Sequence, residues 1–235
     1  MRSKGGTVRP VEIAKALSGP FVPVYVRARL RRGGGEIHTR VLTFTGAKNV
    51  DDGVAFVRDS AVPVLQEQNG YRGVTASADR DGGVLGVLSL WETEADREAS
   101  FGPLAELRQQ GLDVVGGELK VESFEELVVE MASPPAVGSA LMVTRISMDP
   151  AKVDENLAFF KGEVVPRITA ASGFLALRYM MDRKTGRGLV GSAWADQDAM
   201  KNAAAQGQAR RDEGRARGVT FDEDSYREIV FADMP

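Results

Sequence analysis

Apolar and β-branched residues run together from Ala140 to Ser147, a stretch of strand length that Asp149-Pro150 brings to a stop. The spacing then changes. Leu157, Phe160, Val164 and Ile168 recur three or four positions apart, which puts them on one side of a helix, and Gly173 after Ser172 supplies a left-handed stop. Val54, Val57, Ala61 and Leu65 make the same stripe earlier in the chain, closed by Gly70. Pro63 and Pro166 fall inside these two helices, where the ring removes a hydrogen bond and clashes with the preceding turn, so each is predicted to kink.

Each glycine stop is followed by an aromatic, Tyr71 or Phe174, then an extended run and a polar, glycine-containing turn that begins at Asp79-Arg80 or Asp182-Arg183. The chain returns through Val84 to Trp91 and through Leu189 to Trp194, the pattern of a β-hairpin. A capping residue opens a second helix in both places, Thr93 with Asp96 three positions on, and Asp196. Gly102-Pro103 must break the first of these, whereas the second is expected to run from about Ala199 to Arg217 and end at Gly218. Phe124 to Glu130 and Tyr226 to Phe231 read as final strands.

The order strand, helix, strand, strand, helix, strand therefore occurs twice, and the residues repeat as well. Sliding Val50 to Trp91 by 103 positions onto Val153 to Trp194 aligns thirteen identical residues without a gap, Pro63/Pro166, Gly70/Gly173, Ser89/Ser192 and Trp91/Trp194 among them. Composition alone would give roughly two or three. Near the end, Ser123 to Val128 matches Ser225 to Val230 at an offset of 102, as if one residue were lost between the copies. The predicted fold class is α+β: two ferredoxin-like βαββαβ repeats packed sheet to sheet, each burying the other's bare face. The expected divisions are a basic N-terminal extension at 1–35, a first repeat at 36–131, a Pro- and Gly-bearing linker at 132–139 and a second repeat at 140–235. That is a monomer with an internal pseudo-dimer, with further homo-oligomerisation left open.

With 43% hydrophobic and 27% charged residues the chain reads as globular, and no apolar run is long enough to span a bilayer. The absence of cysteine excludes disulfides and thiolate chemistry and fits a cytoplasmic setting; a single histidine, His38, removes most zinc and haem chemistry. The net charge of −3 conceals a basic arm: eight Lys and Arg residues and one acid, Glu12, precede Glu36. No aromatic interleaving or recognised motif accompanies that charge, so the arm is read as a solvated extension in preference to a nucleic-acid or anionic-membrane contact. A start of translation near His38 is a third reading.

Gly173 to Gly188, followed by Ser192-Ala-Trp194 and the helix start to Met200, resembles the antibiotic biosynthesis monooxygenase domain, and Ser89-Leu-Trp91 to Asp96 resembles the same strand end. The likeness extends over both repeats. It implies a dimeric α+β barrel with a pocket between helices and sheet, and a strand-end tryptophan, Trp91 or Trp194, near bound substrate. Members of that family include cofactor-independent monooxygenases of polyketide aromatics and haem-degrading enzymes. The latter need an axial histidine on the second helix, where Glu98, Ala99 and Ser100, or Lys201, Asn202 and Ala203, offer none.

Alternation puts Ser192 with Trp194, and Ser89 with Trp91, on one face. If the hairpin centres on Thr185-Gly186, Arg178 falls opposite Ser192 and Thr75 takes its place beside Ser89. Trp194, Ser192, Arg178, Trp91, Ser89 and Thr75 are therefore the candidate substrate-binding residues: an aromatic face, a hydroxyl and a guanidinium that could orient a phenol or quinone-like molecule and favour its enolate or phenolate. Both tryptophans also suit the role of core anchors. Arg210, Arg211, Arg215 and Arg217 cluster on the last helix, and the interleaved Asp212 and Glu213 make them read as a solvated face in preference to an anion site. With Arg178 and Tyr179 where the first copy has Thr75 and Ala76, the second pocket is expected to be the more polar. The predicted function is that of a monooxygenase-like protein, using neither metal nor flavin, that acts on or binds a small aromatic molecule. A non-catalytic small-molecule binder or scaffold is the alternative, since no residue pattern marks an evident base.

Overall fold

The computed structural model describes residues 36–234. The basic arm at 1–35 lies outside the described residues. The first half runs β1 (His38–Thr45), α1 (Val50–Phe56), α2 (Val62–Gln66), β2 (Tyr71–Asp79), β3 (Val84–Trp91), α3 (Glu94–Ala99), α4 (Ala105–Val115) and β4 (Glu118–Met131). The second repeats that order with β5 (Ala140–Ser147), α5 (Val153–Phe159), α6 (Val165–Thr169), β6 (Phe174–Asp182), β7 (Arg187–Trp194), α7 (Gln197–Gln206), α8 (Gln208–Ala216) and β8 (Thr220–Asp233).

All eight strands form one closed antiparallel barrel in the order β1-β3-β2-β8-β5-β7-β6-β4. Within each half the order is that of a ferredoxin-like sheet, and the two sheets join edge to edge through their longest strands. β4 pairs first with β1, from Thr45↔Glu118 to His38↔Glu125, and then crosses to β6, from Glu125↔Met181 to Met131↔Ala176. β8 does the same, pairing with β5 up to Ala140↔Glu228 and with β2 up to Val74↔Asp233. Closure leaves none of the described strands with a free edge. The linker is tied across the join, Ala132 donating its N–H to the Leu175 carbonyl and Gly138 to that of Ile229.

Side chains alternate between the inside of the barrel and the helix-covered outside. Val41, Leu88, Phe124, Val143, Met180 and Leu189 meet inside. Outside, Phe44, Val57, Leu65, Leu85, Trp91 and Val115 form one helix-covered core, and Ile146, Leu157, Val164, Leu177, Tyr179 and Trp194 another.

The predicted proline kinks take a definite form. A π-helical turn, Val57–Ala61 or Phe160–Val164, separates α1 from α2 and α5 from α6, and the proline sits at the start of the α-segment that follows. The wider turn absorbs the missing N–H and relieves the ring of the preceding carbonyl. Gly70 and Gly173 close these helices at φ +71 and +78, where a side chain would be strained. The helix expected over 199–217 begins two residues earlier and breaks at Gly207, whose N–H turns tightly onto the Ala204 carbonyl.

The hairpin centre is corrected. Asp182 pairs with Arg187 and Asp79 with Val84, so each turn holds four residues and the second centres on Lys184-Thr185. Ser192 therefore faces Leu177, and Arg178 faces Gly191. Likewise Ser89 faces Val74, and Thr75 faces Leu88. A slip of one residue in a strand changes the face of every side chain. Arg178 and Thr75 consequently point to the barrel interior, away from Ser192 and Ser89.

Candidate functional site

Between its helices and the outer face of its sheet each half holds an apolar cleft. The cleft of the second half, counted out to its open mouth, has a volume of about 780 Å³. Met142, Ile146, Phe159, Phe160, Tyr179 and Phe221 provide its walls, and Ser192 its floor. The π turn places Phe160 over Tyr179, ring on ring at 4.7 Å between centroids. Burial raises the Tyr179 phenol above its ordinary pKa, and its hydroxyl makes no hydrogen bond among the described residues. Trp194 is not in the lining. It lies beneath the floor, edge-on to Phe174 at 5.8 Å, and donates its indole N–H to Ser192 Oγ at 3.0 Å.

The polar end of this cleft is a charge-compensated cluster. Asp224, whose side chain is only 4% exposed, accepts from Thr144 Oγ1 at 2.6 Å and pairs with Arg211. Arg210 reaches the Ala203 carbonyl at 3.3 Å, and burial first, then Arg167 and Arg211, lowers its pKa. Arg210 and Arg211 thus line the cleft and are not part of a solvated face. Gly207, at the helix break, lines it beside them.

The first cleft measures about 620 Å³ on the same basis, and Trp91 and Ser89 both line it. Trp91 donates to Ser89 Oγ at 3.0 Å, repeating the pair of the second half. Two guanidinium groups close its polar end. Arg40, on the helix-covered face of β1, is 2% exposed, and Arg108 projects from α4. Burial lowers both pKa values, that of Arg40 to about 10.

Of the six residues expected from sequence, the structure brings Ser192 to one cleft, Ser89 and Trp91 to the other, and Trp194 beneath its own. Arg178 is instead held inside the barrel by Glu126 of β4, with Thr75 on the same face of its own strand. Arg40, Arg108 and Asp224 were not picked out as site residues, Arg211 was read as part of a solvated helix face, and Tyr179 entered only as a polar residue of the second pocket. The internal sequence match carried a signal for two of them: Arg108 and Arg211 stand 103 positions apart, the offset at which Val50 to Trp91 matches Val153 to Trp194.

No protein-family model matches the sequence. Among solved structures, the chain is similar to a candidate monooxygenase from Fusobacterium nucleatum, with a TM-score of 0.63 and 11% identity over 86% of this chain and 95% of that one. An anthrone oxidase-like protein gives a TM-score of 0.61 and 13% identity over 86% and 94%. At such identities the likeness shows the fold alone, a closed α+β barrel. Sequence relatives are nearer. The uncharacterised protein Rv2557 of Mycobacterium tuberculosis is 28% identical over 77% of this chain and 81% of its own length. Rv2558 of the same organism is 30% identical over 192 residues, 80% of each chain, and the present chain therefore belongs to the family of Rv2558.

Proposed function

We propose that the chain is a monooxygenase-like protein whose second cleft takes a small, flat aromatic molecule of the phenol, quinone or polyketide type. The observation that carries this reading is the Phe160–Tyr179 stack facing an open apolar cleft, with an unengaged phenol hydroxyl on the wall. Aromatic walls bind a flat ring by stacking and burial, and a hydroxyl in an apolar wall fixes its orientation. The likeness in fold to an anthrone oxidase-like protein agrees with it.

Turnover in such a site needs an enolisable substrate, R₂CH₂. Loss of a proton gives a carbanion that passes electrons to O₂; one oxygen atom ends in R₂C=O and the other leaves in water. In this reading Tyr179, in the cleft wall, donates a hydrogen bond to the developing enolate oxygen, which lowers the barrier to that first proton loss. Binding without turnover is the second reading, favoured by Asp224, whose two oxygens are engaged by Thr144 and Arg211. Anthrone and simple naphthols are the probes. Calorimetric titration is expected to show binding that weakens about tenfold in Tyr179→Phe, a loss typical of one buried hydrogen bond. Oxygen uptake on any ligand that binds separates the oxygenase from the binder. Equal affinity in wild type and Tyr179→Phe would overturn the assignment of this cleft.

A further inference from the structure

The two clefts differ in one respect that points to a ligand: Arg211 of the second has a carboxylate partner, Asp224, whereas neither arginine of the first has one among the described residues. His38 faces Trp91 as Ala140 faces Trp194, so Arg40 in the first half stands where Met142 stands in the second. Arg108 corresponds to Arg211 at the repeat offset. Arg211 has Asp224, which lies opposite Thr144 on the helix-covered face. In the first half the residue opposite Leu42, the counterpart of Thr144, is Val121. The neighbouring acid, Glu122, turns to the other face and is engaged there by Arg145 at 2.5 Å and Lys120 at 2.9 Å.

Arg40 is consequently a buried cation held by neutral acceptors. Its Nη1 donates to Ser100 Oγ at 2.8 Å, its Nη2 to the Arg97 carbonyl, and its Nε has no partner among the described residues. Glu98, the acid that acts most on it, is already paired with Arg97 at 2.9 Å. Arg108 repeats the pattern, its Nη2 donating to the Phe101 carbonyl at 2.7 Å while its buried Nη1 has no partner. Both guanidinium carbons lie over the ring of Phe101, at 5.0 and 4.0 Å from its centroid, and that ring is 45% exposed. A buried charge and two donor nitrogens without partners among the described residues are unfavourable by themselves, and a bound anion removes both penalties together.

We infer that the first cleft is a site for an apolar organic acid, its carboxylate held by Arg40 and Arg108 and its body lying along Leu42, Phe44, Phe56, Leu107 and Trp91. A carboxylate accepts one N–H on each oxygen, which matches one free donor from each arginine. The rest of the lining is apolar but for Ser89, whose hydroxyl is already engaged by Trp91 and the Arg40 carbonyl, which excludes a phosphorylated or sugar-like body and selects a hydrocarbon or aromatic one. This inference stands on the first cleft alone and holds whether or not the second takes an aromatic molecule.

The test uses the full chain and calorimetric titration with benzoate, 2-naphthoate and octanoate, each beside its neutral amide. At least one acid is expected to bind one site per chain about tenfold or more tightly than its amide, a preference worth about 1.4 kcal/mol per factor of ten. That preference disappears in Arg108→Gln and in Arg40→Met. It persists in Arg58→Gln, which removes an equal charge from an exposed pair with Asp59. Should Arg40→Met fail to fold, Arg108→Gln decides alone, because Arg108 is only half-buried. Equal binding of acid and amide, no heat from any acid at millimolar concentration, or a preference that survives Arg108→Gln would each overturn the inference.

Discussion

Each tryptophan carries a single N–H, and in a buried site that donor must be met. Ser89 and Ser192 meet it two residues back on the same strand face, and both hydroxyls are themselves buried. Replacing either serine by alanine leaves an indole N–H unsatisfied, and a loss of about 1–3 kcal/mol is expected in urea unfolding of each variant. A ligand-contact role without a structural one predicts no such loss. The buried phenols give a second residue-level test. Burial raises Tyr179, and burial followed by Asp233 raises Tyr71, above the ordinary value of 10.0. A group whose pKa rises on folding lends stability that is full below its unfolded pKa and is lost as pH climbs through the folded one. The stability of wild type should therefore fall relative to Tyr179→Phe as pH rises above 10.0, measured by denaturant unfolding across that range. A constant difference between the two would show that the phenol is already accessible to water in the folded state.

At the level of elements, periodicity made the helix stripes and strand order legible, because apolar spacing and glycine stops are local. Register was not legible, since it depends on how many residues a turn holds, and here the difference was a single position. That position moved Arg178 and Thr75 from the clefts to the barrel interior. The full length of β4 and β8 was also hidden: Glu118 to Lys120 and Thr220 to Asp224 are polar-rich, and only pairing within the barrel extends them. The final strands conceal another shift. Ser123 faces Arg40 and Tyr226 faces Met142, so these strands correspond at 103 positions in space, although Ser123 and Ser225 match at 102 in sequence. A bulge in β8 between the partners of Thr144 and Ile146 absorbs the difference, and it is what turns Asp224 to the helix side. The register leads to a prediction for Arg178. Its partner Glu126 is 4% exposed, so Arg178→Ala strands a buried carboxylate and should cost roughly 3 kcal/mol in urea unfolding. Joint replacement by Arg178→Met and Glu126→Leu should restore most of it. Ligand titrations of both clefts should be unchanged by the pair, because neither side chain faces a cleft; a loss of cleft binding would contradict the register.

Across the described residues, the repeated element order and the closure of the barrel are linked by the two long strands. One half alone has four strands in the order β4-β1-β3-β2, with the outer edge of β2 and the far end of β4 unpaired. Those are the surfaces that β8 and β6 cover in the full chain. A half made separately thus exposes two edges and the apolar inner face that carries Val41, Leu88 and Phe124. Because β8 is to β2 what β4 is to β6, a second copy of the same half can supply both missing pairings with two-fold symmetry. Residues 36–131 expressed alone should therefore run as a dimer in light scattering, and the full chain should unfold in one cooperative transition, since neither sheet keeps its edges when the other is lost. A half that is a folded, dispersed monomer would mean that the barrel interior is not what holds the sheets together. Two separate transitions in the full chain would mean that β4 and β8 do not couple the halves as their pairing implies.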